Sequence, residues 1–446
     1  MELNINLIDM TRRNLFFLIK LKIKLFIWAL IIFASANKVI AVSRASEPLK
    51  NAIFRENIRS VQFFREGWDF SQPVLELGTD QRLLLKFDEI TDGVTNFVYT
   101  ITHCDYDWYP SRLVQSEYMA GFIENPVTDY AGSVNTTSKY TNYLLSLPNE
   151  NVRFLISGNY LLTVFDEGNR TTPVLTRRFY IVEPLTEIRG DIKKSTFEGY
   201  KGRDQEIDFT VDYSRFSMQD PRTEVRVVVA QNSRSDNCLT NLKPQFVREN
   251  QLSYDLSREN VFPGGNEFRN FDTKNIRMNG LGVVNIEFIN PIYHVELRTD
   301  QVRRERDYSN ESDLNGRYLI KNDRVTDSDL EADYVLVHFS LQMPEPLLGG
   351  EIYVFGGLSD WQCLPSNKMK WNFESKLYEA AILLKQGFYD YQYVYIQNGS
   401  NKIDGTLLEG SYVETENDYQ IFLYYRGFSS RYDKLIGYRT INSVKR

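Results

Sequence analysis

The chain has 446 residues, of which 42% are apolar and 25% are charged, and its formal charge is −7. This length predicts roughly three domains, and the balance of apolar and charged residues excludes wholesale disorder. The net acidic charge also argues against a nucleic-acid-binding protein, which needs clustered Lys and Arg to neutralise phosphates.

The first 41 residues predict a secretory signal peptide rather than part of the fold. Five basic residues precede the continuous apolar run Leu25 to Ala36, and small residues at 34–36 or 39–41 offer a cleavage site. The run is shorter than the roughly 20 residues that span a bilayer. Removal of residues 1–41 takes away six basic and two acidic residues, so that the formal charge becomes −11. An exported protein is expected.

Residues 50–184 are predicted to form an N-terminal β-sandwich domain. Short runs rich in β-branched and aromatic residues alternate with turn signals, without intervening helices, which is typical of a sandwich. The predicted strands are 58–64, 73–77, 82–87, 97–103, 140–147, 159–165 and 174–182. Trp68 and Trp108 stand at strand ends in apolar surroundings, so both are expected in the core of this domain.

Two further β domains are predicted, at 188–343 and at 347–446, after the breaks at Glu183-Pro184 and Met343-Pro344-Glu345-Pro346. Strands are predicted at 206–212, 224–230, 283–288 and 334–341 in the second domain and at 352–356, 377–384, 389–395 and 419–425 in the third. The charged stretch 298–333 predicts a solvated loop. The fold class is therefore all-β, with tandem immunoglobulin-like β-sandwiches.

No residues predict a convincing catalytic site. His103 and Cys104 are adjacent on a predicted strand, so their side chains point to opposite faces and do not form a nucleophilic dyad. His294 and His338 are the other candidates to serve Cys104. No phosphate-binding loop, dinucleotide fingerprint or nucleophile elbow is present, so the sequence predicts a protein that is not an enzyme and has no cofactor or small-molecule substrate.

Metal ions and disulfides are also not expected to hold the fold together. The three cysteines, Cys104, Cys238 and Cys363, are more than a hundred residues apart and match no zinc or redox spacing. A calcium site at Asp105 and Asp107 is one alternative, with Asp88 and Glu89 as further oxygen ligands. The favoured interpretation of the two aspartates is that they accept hydrogen bonds from backbone amides in a turn.

The last predicted domain offers a different function. Its sequence Gly350-Glu-Ile-Tyr-Val-Phe-Gly-Gly-Leu-Ser-Asp-Trp361, followed by Gly387-Phe-Tyr-Asp-Tyr-Gln-Tyr393, resembles glycogen-binding modules, in which exposed tryptophans stack on sugar rings. Trp361 and Trp371 are the candidates for glycan stacking. The same pattern is found in domains of that superfamily that bind no sugar and use the tryptophan in the core, and this second interpretation is favoured.

Two blocks of sequence stand out as motifs. The first contains Gly67-Trp68, the element His103-Cys-Asp-x-Asp-Trp108 and Ser157-Gly-Asn-Tyr160, and the second is the run Gln420-Ile-Phe-Leu-Tyr-Tyr-Arg-Gly-Phe-Ser-Ser-Arg-Tyr-Asp-Lys-Leu-Ile-Gly-Tyr438. Both blocks resemble the type IX secretion system plug proteins. The resemblance extends from about residue 58 to the C-terminus and is weakest over 298–333.

This resemblance implies a non-catalytic periplasmic protein. Plug proteins seal the periplasmic mouth of a giant outer-membrane translocon barrel, which is the partner expected here, with no nucleic acid and no small-molecule substrate. The alternative function is a periplasmic glycan-binding protein that uses Trp361 and Trp371.

Overall fold

The computed structural model describes residues 47–197, 199, 202–240, 242–255 and 257–444. The predicted signal peptide, 1–41, lies outside the described residues. Within the described residues the regular secondary structure is almost all β-strand, and residues 48–444 lie in one compact unit made of three β-sandwiches. The all-β, tandem-sandwich prediction is confirmed. No helix in this described part is long and apolar enough to cross a membrane.

The first sandwich is built from two large sheets and a short two-stranded one, which together enclose one apolar core. Its strands are β1 (Ala52–Ile53), β2 (Ile58–Arg65), β3 (Val74–Glu76), β4 (Leu83–Glu89), β5 (Phe97–Cys104), β6 (Met119–Gly121), β7 (Glu124–Pro126), β8 (Asp129–Gly132), β9 (Thr141–Leu147), β10 (Val152–Phe154), β11 (Gly158–Asp166) and β12 (Asn169–Val182), with helix α1 at Gln115–Tyr118. One sheet has the order β1-β12-β11-β5-β7 and the other β2-β4-β9-β8. All seven predicted strands of this region are present, because their alternating apolar residues fill this core.

The second sandwich is discontinuous in sequence. Its first segment contains β13 (Glu187–Lys194), β14 (Asp204–Asp212), α2 (Pro221–Glu224), β15 (Val225–Gln231), β16 (Cys238–Thr240), β17 (Phe246–Arg248), β18 (Gln251–Tyr254) and β19 (Val261–Pro263). The hairpin of β30 (Asp418–Tyr425) and β31 (Lys434–Asn442) completes it in the sheet order β16-β15-β30-β31. The C-terminal run therefore forms the core of the second sandwich together with residues more than 150 positions earlier.

The third sandwich is inserted between the two segments of the second. It contains β20 (Arg269–Asp272), β21 (Val283–Ile289), β22 (Ile292–Leu297), β23 (Asp300–Gln301), β24 (Tyr318–Ile320), α3 (Ser328–Glu331), β25 (Tyr334–Gln342), β26 (Gly350–Phe355), β27 (Lys370–Asn372), β28 (Leu377–Lys385), β29 (Gly387–Gln397) and α4 (Thr406–Glu409), with short 3₁₀ turns at Gly357–Ser359 and Pro365–Asn367. One sheet has the order β21-β22-β25-β28-β27, and β29 is the centre of the other.

This topology corrects how the predicted second and third domains relate to each other. The expected break between 343 and 347 falls inside the third sandwich, because β25 pairs with β28 along nine residues. Likewise β15 pairs with β30, which was assigned to the other domain. The individual strands agree with the prediction, but sequence order does not follow sheet order. The exact limits of the domains stay a prediction.

The stretch 298–333 is also different from the solvated loop that its charge suggested. It contributes β24 to a sheet, and Arg303 within it pairs with the fully buried Glu409 at 2.8 Å. Arg269 makes a second ion pair with the same carboxylate, at 2.9 Å. Burial alone would raise the pKa of Glu409, but the two arginines outweigh it and hold the pKa at about 2. The charges of this stretch are thus partly internal.

Candidate functional site

The His103–Trp108 corner leaves strand β5 through a tight turn. The amide of Trp108 donates to the Asp105 carbonyl at 2.9 Å, and the amide of Asp105 donates to the Tyr109 carbonyl at 2.8 Å. Trp108 has a positive φ of 66° and is only 9% exposed. The Arg178 guanidinium covers its ring at 4.3 Å. The expectation that Trp108 is a core residue is confirmed. Trp68, by contrast, is 55% exposed, so that expectation was wrong.

The corner meets the C-terminal hairpin, and we call this contact the motif interface: residues 103–108 and their neighbours against β30, β31 and the loop 426–433. The Tyr106 amide donates to the Asp433 carboxylate at 3.0 Å. Arg426 lies between Asp433, at 3.0 Å, and Asp105. Burial raises the pKa of Asp433, while the Tyr106 amide and Arg426 oppose that effect. The two sequence blocks that carry the family resemblance therefore hold each other in place.

Aromatic packing continues the motif interface. The Tyr180 ring stacks on Phe422 with 4.4 Å between centroids, and the Tyr424 hydroxyl donates to the Asn159 side chain at 2.8 Å. Offset aromatic contacts of this kind add to the apolar area that they bury. First and second sandwiches are thus joined by a packed, hydrogen-bonded seam.

Gly158 shows how closely the chains approach at this seam. Its φ is +144°, and a Cβ on it would lie 2.4 Å from His103 Nε2 and 3.2 Å from the Asp433 carbonyl. Any side chain would therefore collide with the His103 ring and strain the backbone. Only glycine fits at the second position of the Ser157-Gly-Asn-Tyr160 element, because the seam leaves no room for a side chain there.

A second tie joins the first and third sandwiches through a buried ion pair. Asp88 on β4 and Lys385 on β28 are 2.7 Å apart, and their side chains are 1% and 2% exposed. The Tyr334 hydroxyl also donates to Asp88 at 2.7 Å. Burial raises the pKa of Asp88, against which Lys385 and the hydrogen bonds act. Sequence reasoning missed this pair. The signal that could have found it was one lysine at the end of the apolar run of β28.

The catalytic candidates do not form a catalytic arrangement. His103 and Cys104 are both buried, and burial lowers the pKa of His103 to about 4 and raises that of Cys104 to about 12. At neutral pH both are uncharged, so no thiolate is available. His294 and His338 lie on the third sandwich, where their ring nitrogens are 2.9 Å apart. The two histidines therefore contact each other, and neither contacts Cys104.

The calcium alternative is not supported by the surroundings of its candidate ligands. Asp105 is paired with Arg426, and Asp88 with Lys385. Glu89 accepts hydrogen bonds from Asn57 and Thr95. The described residues contain no group of three or more His, Cys, Asp or Glu that could hold a metal ion. The three cysteines are free in this structure.

The two tryptophans proposed for glycan stacking are half-buried in different surroundings. Trp361 packs edge-on against Phe268 and Phe355, and Arg234 lies over its ring. Trp371, on the edge strand β27, packs against Tyr378 at 5.0 Å. Aromatic or guanidinium groups contact both rings, and glycan stacking by Trp361 and Trp371 stays a prediction.

Comparison with known proteins identifies the class of this chain. Residues 58–183 match the family model for the type 9 secretion system plug protein 1st domain. The chain belongs to the type 9 secretion system plug protein family, a component of secretion machinery.

A solved structure agrees over nearly the whole length. The crystal structure of a hypothetical protein from Parabacteroides merdae ATCC 43184 is 37% identical, with a TM-score of 0.86, and the match covers 89% of this chain and 99% of that one. A biofilm-associated protein BSP domain matches at 10% identity with a TM-score of 0.14, which is too low to bear on the fold. None of the curated proteins matches the chain.

Proposed function

We propose that this protein is a non-catalytic periplasmic subunit that seals the periplasmic mouth of the type IX outer-membrane translocon barrel. The observation that supports it best is the motif interface. Residues that carry the family resemblance, among them Asp105 and Asp433, fix one sandwich against another rather than line a reactive site. Membership of a secretion family, together with this interlocking, favours a shape-keeping role.

A stopper must keep its shape while it blocks a wide aqueous pore. The first sandwich is held to the second by the Asp105–Arg426 ion pair and the hydrogen bond from the Tyr106 amide to Asp433, and to the third by the buried pair of Asp88 and Lys385. Each buried charge needs its partner in place, so these contacts favour one arrangement of the sandwiches over others. A fixed arrangement is what the proposed role requires.

The energy of binding to the translocon is expected to come from a few large apolar side chains. Phe428, in the loop of the C-terminal hairpin, is fully exposed, and Phe122 and Ile123 are 70% and 68% exposed. An ion pair between Arg431 and Glu117 joins the hairpin loop to α1, so these residues belong to one end of the molecule. We include this apolar end in the proposed contact with the barrel.

Deletion of the gene tests the sealing role. With the translocon intact, loss of the protein should make the outer membrane more permeable to large antibiotics, and it should have little effect where the translocon is absent. Equal permeability changes in both strains would overturn the proposal.

The contact surface is tested separately. Phe428→Ser should reduce co-purification of the translocon barrel from native envelopes. Phe373→Ser is the matched control, because Phe373 is 80% exposed on the third sandwich. Equal loss in both variants would contradict the assignment of this end as the contact surface, without affecting the sealing role itself.

A further inference from the structure

One edge of the third sandwich is formed by an exposed strand. β21 lies at the end of the sheet β21-β22-β25-β28-β27, and among the described residues it pairs with β22 alone. In an antiparallel pair, alternate residues direct their backbone N–H and C=O groups away from the neighbouring strand. Such an edge is a template on which a further strand can pair.

The side chains along this edge are strongly apolar. Five large apolar residues between positions 278 and 289 are 48% to 66% exposed: Met278, Leu281, Val284, Phe288 and Ile289. We call residues 278–289 the β21 edge. A contiguous apolar surface of this kind is typical of an interaction site, whereas single exposed apolar residues are not.

The β21 edge lacks the features that usually keep sheet edges apart. Natural edge strands are protected by lysine, by proline or by charges on their apolar face. Glu287 is the one charged residue of β21, and the strand contains no lysine and no proline. The preceding loop covers one backbone group, because the Asn279 side chain donates to the Val284 carbonyl at 2.6 Å. Residues 285–289 are therefore the open part of the edge in the described structure.

The sequence of β21 is complementary to itself in an antiparallel pair centred on Ile286. Val284 of each copy then lies opposite Phe288 of the other, and pairs of β-branched and aromatic residues stabilise sheets. Asn285 of each copy lies opposite Glu287 of the other. Apolar residues therefore meet apolar residues on one face, and polar residues meet polar residues on the other.

The charges on the polar face also match in this pairing. Within one copy, Glu287 lies opposite His294 of β22, and Asn285 lies opposite Glu296. The row across the joint would therefore read His294 and Glu287 of one copy, then Asn285 and Glu296 of the other. The Asn285 amide has two N–H donors, so it can bond to the glutamate on either side. No glutamate lies directly opposite another, which would be unfavourable.

We propose that the β21 edge is a self-association surface, where β21 of a second copy pairs antiparallel and joins two third sandwiches into one continuous sheet. The joint has two-fold symmetry, because the same residues serve both copies. Met278 and Leu281 precede β21, so they lie towards the hairpin turn of the other copy and its exposed Ile289. This inference does not depend on the sealing role, and its test uses the purified protein alone.

Sedimentation equilibrium of the mature protein measures the association. A dimer should form by about 0.1 mM, and Phe288→Lys should weaken it at least about tenfold, because the substitution places a charge on the apolar face of the joint. Phe246→Lys is the matched control, since Phe246 is 52% exposed and lies on β17, the edge strand of another sheet. This control should change the affinity by less than about twofold.

Two results would overturn the proposal. A protein that stays monomeric at about 0.1 mM would leave the β21 edge to an extended segment of a different protein. A dimer that both variants weaken equally, or that Phe288→Lys leaves intact, would be formed through another surface.

Cysteine cross-linking tests the register of the joint. In the double variant Asn285→Cys with Glu287→Cys, each new thiol faces one of the other copy, within the Cα separation of about 4.4–6.8 Å that a disulfide needs. Glu287→Cys alone is the control, because its two thiols are diagonal neighbours with Cα atoms about 7–8 Å apart. Both positions are exposed, so folding should be unaffected.

Mild oxidation should therefore give a covalent dimer of the double variant and little of the single variant. The unchanged protein gives the background from its three free cysteines. Equal yields from the two variants, or no covalent dimer of the double variant, would refute the pairing centred on Ile286.

Discussion

The buried pair of Asp88 and Lys385 gives the sharpest prediction about how the sandwiches are held together. The two charges are 2.7 Å apart, so their attraction is about 6 kcal/mol at an effective dielectric constant of about 20. Desolvation of both groups offsets much of this gain. Lys385→Met removes the attraction but leaves Asp88 buried, and we expect it to lower the free energy of unfolding by about 3–5 kcal/mol.

The structure supplies a matched control on the same strand as Asp88. Lys86 pairs with Asp329 at 2.6 Å, but these side chains are 24% and 38% exposed. Solvent screens such a pair, so Lys86→Met should cost at most about 1 kcal/mol. The double variant Asp88→Asn with Lys385→Met should recover most of the loss, because no charge then stays buried alone.

The assay is urea unfolding followed by circular dichroism and tryptophan fluorescence. In Lys385→Met the buried Asp88 can escape its cost by taking a proton, so the destabilisation should be smaller at low pH and grow as the pH rises. Equal losses for Lys385→Met and Lys86→Met, or a double variant as unstable as the sum of its single changes, would refute this reasoning.

Three further predictions follow from burial and from the pKa shifts. Trp108→Ala should lower the free energy of unfolding by about 3–5 kcal/mol. Trp68→Ala, which removes an exposed ring, should lower it by less than about 1 kcal/mol. Similar melting temperatures for the two variants would contradict this prediction. The pKa of Glu409 is about 2 in the folded protein, against an ordinary value of 4.5. The stability that its ionised form gives is therefore present above pH 4.5 and is lost as the pH falls towards 2. Glu409→Gln should remove this loss when the free energy of unfolding is measured across an acid titration. Burial and the neighbouring Asp313 raise the pKa of Asp390 to about 8, so stability should fall as the pH rises from 3.8 to 8, and Asp390→Asn should flatten this slope in urea titrations; an unchanged slope would count against it.

Fifteen of the strands could be predicted from the sequence, since alternation of apolar and polar residues is a local property, whereas others such as β10 and β22 were not predicted. β4, β5, β11 and β25 all lie within two residues of their predicted limits. Family membership could also be inferred early, because the two motif blocks are contiguous runs of sequence.

Which strands share a sheet depends on contacts between distant parts of the chain. Pairing of β15 with β30 joins residues almost 200 positions apart, and no local pattern encodes such a partner. The order of segments suggested sequential domains, while the folded chain inserts one sandwich into another.

The same limit applies to side chains whose role depends on a distant partner. Trp68 and Trp108 have similar local surroundings in sequence, yet one is 55% exposed and the other 9%. Asp88 and Lys385 have no motif of their own, because a buried charge acquires its partner only when separate sandwiches pack together. The ties between sandwiches are therefore properties of the packing, whereas the strands that carry them follow from local sequence.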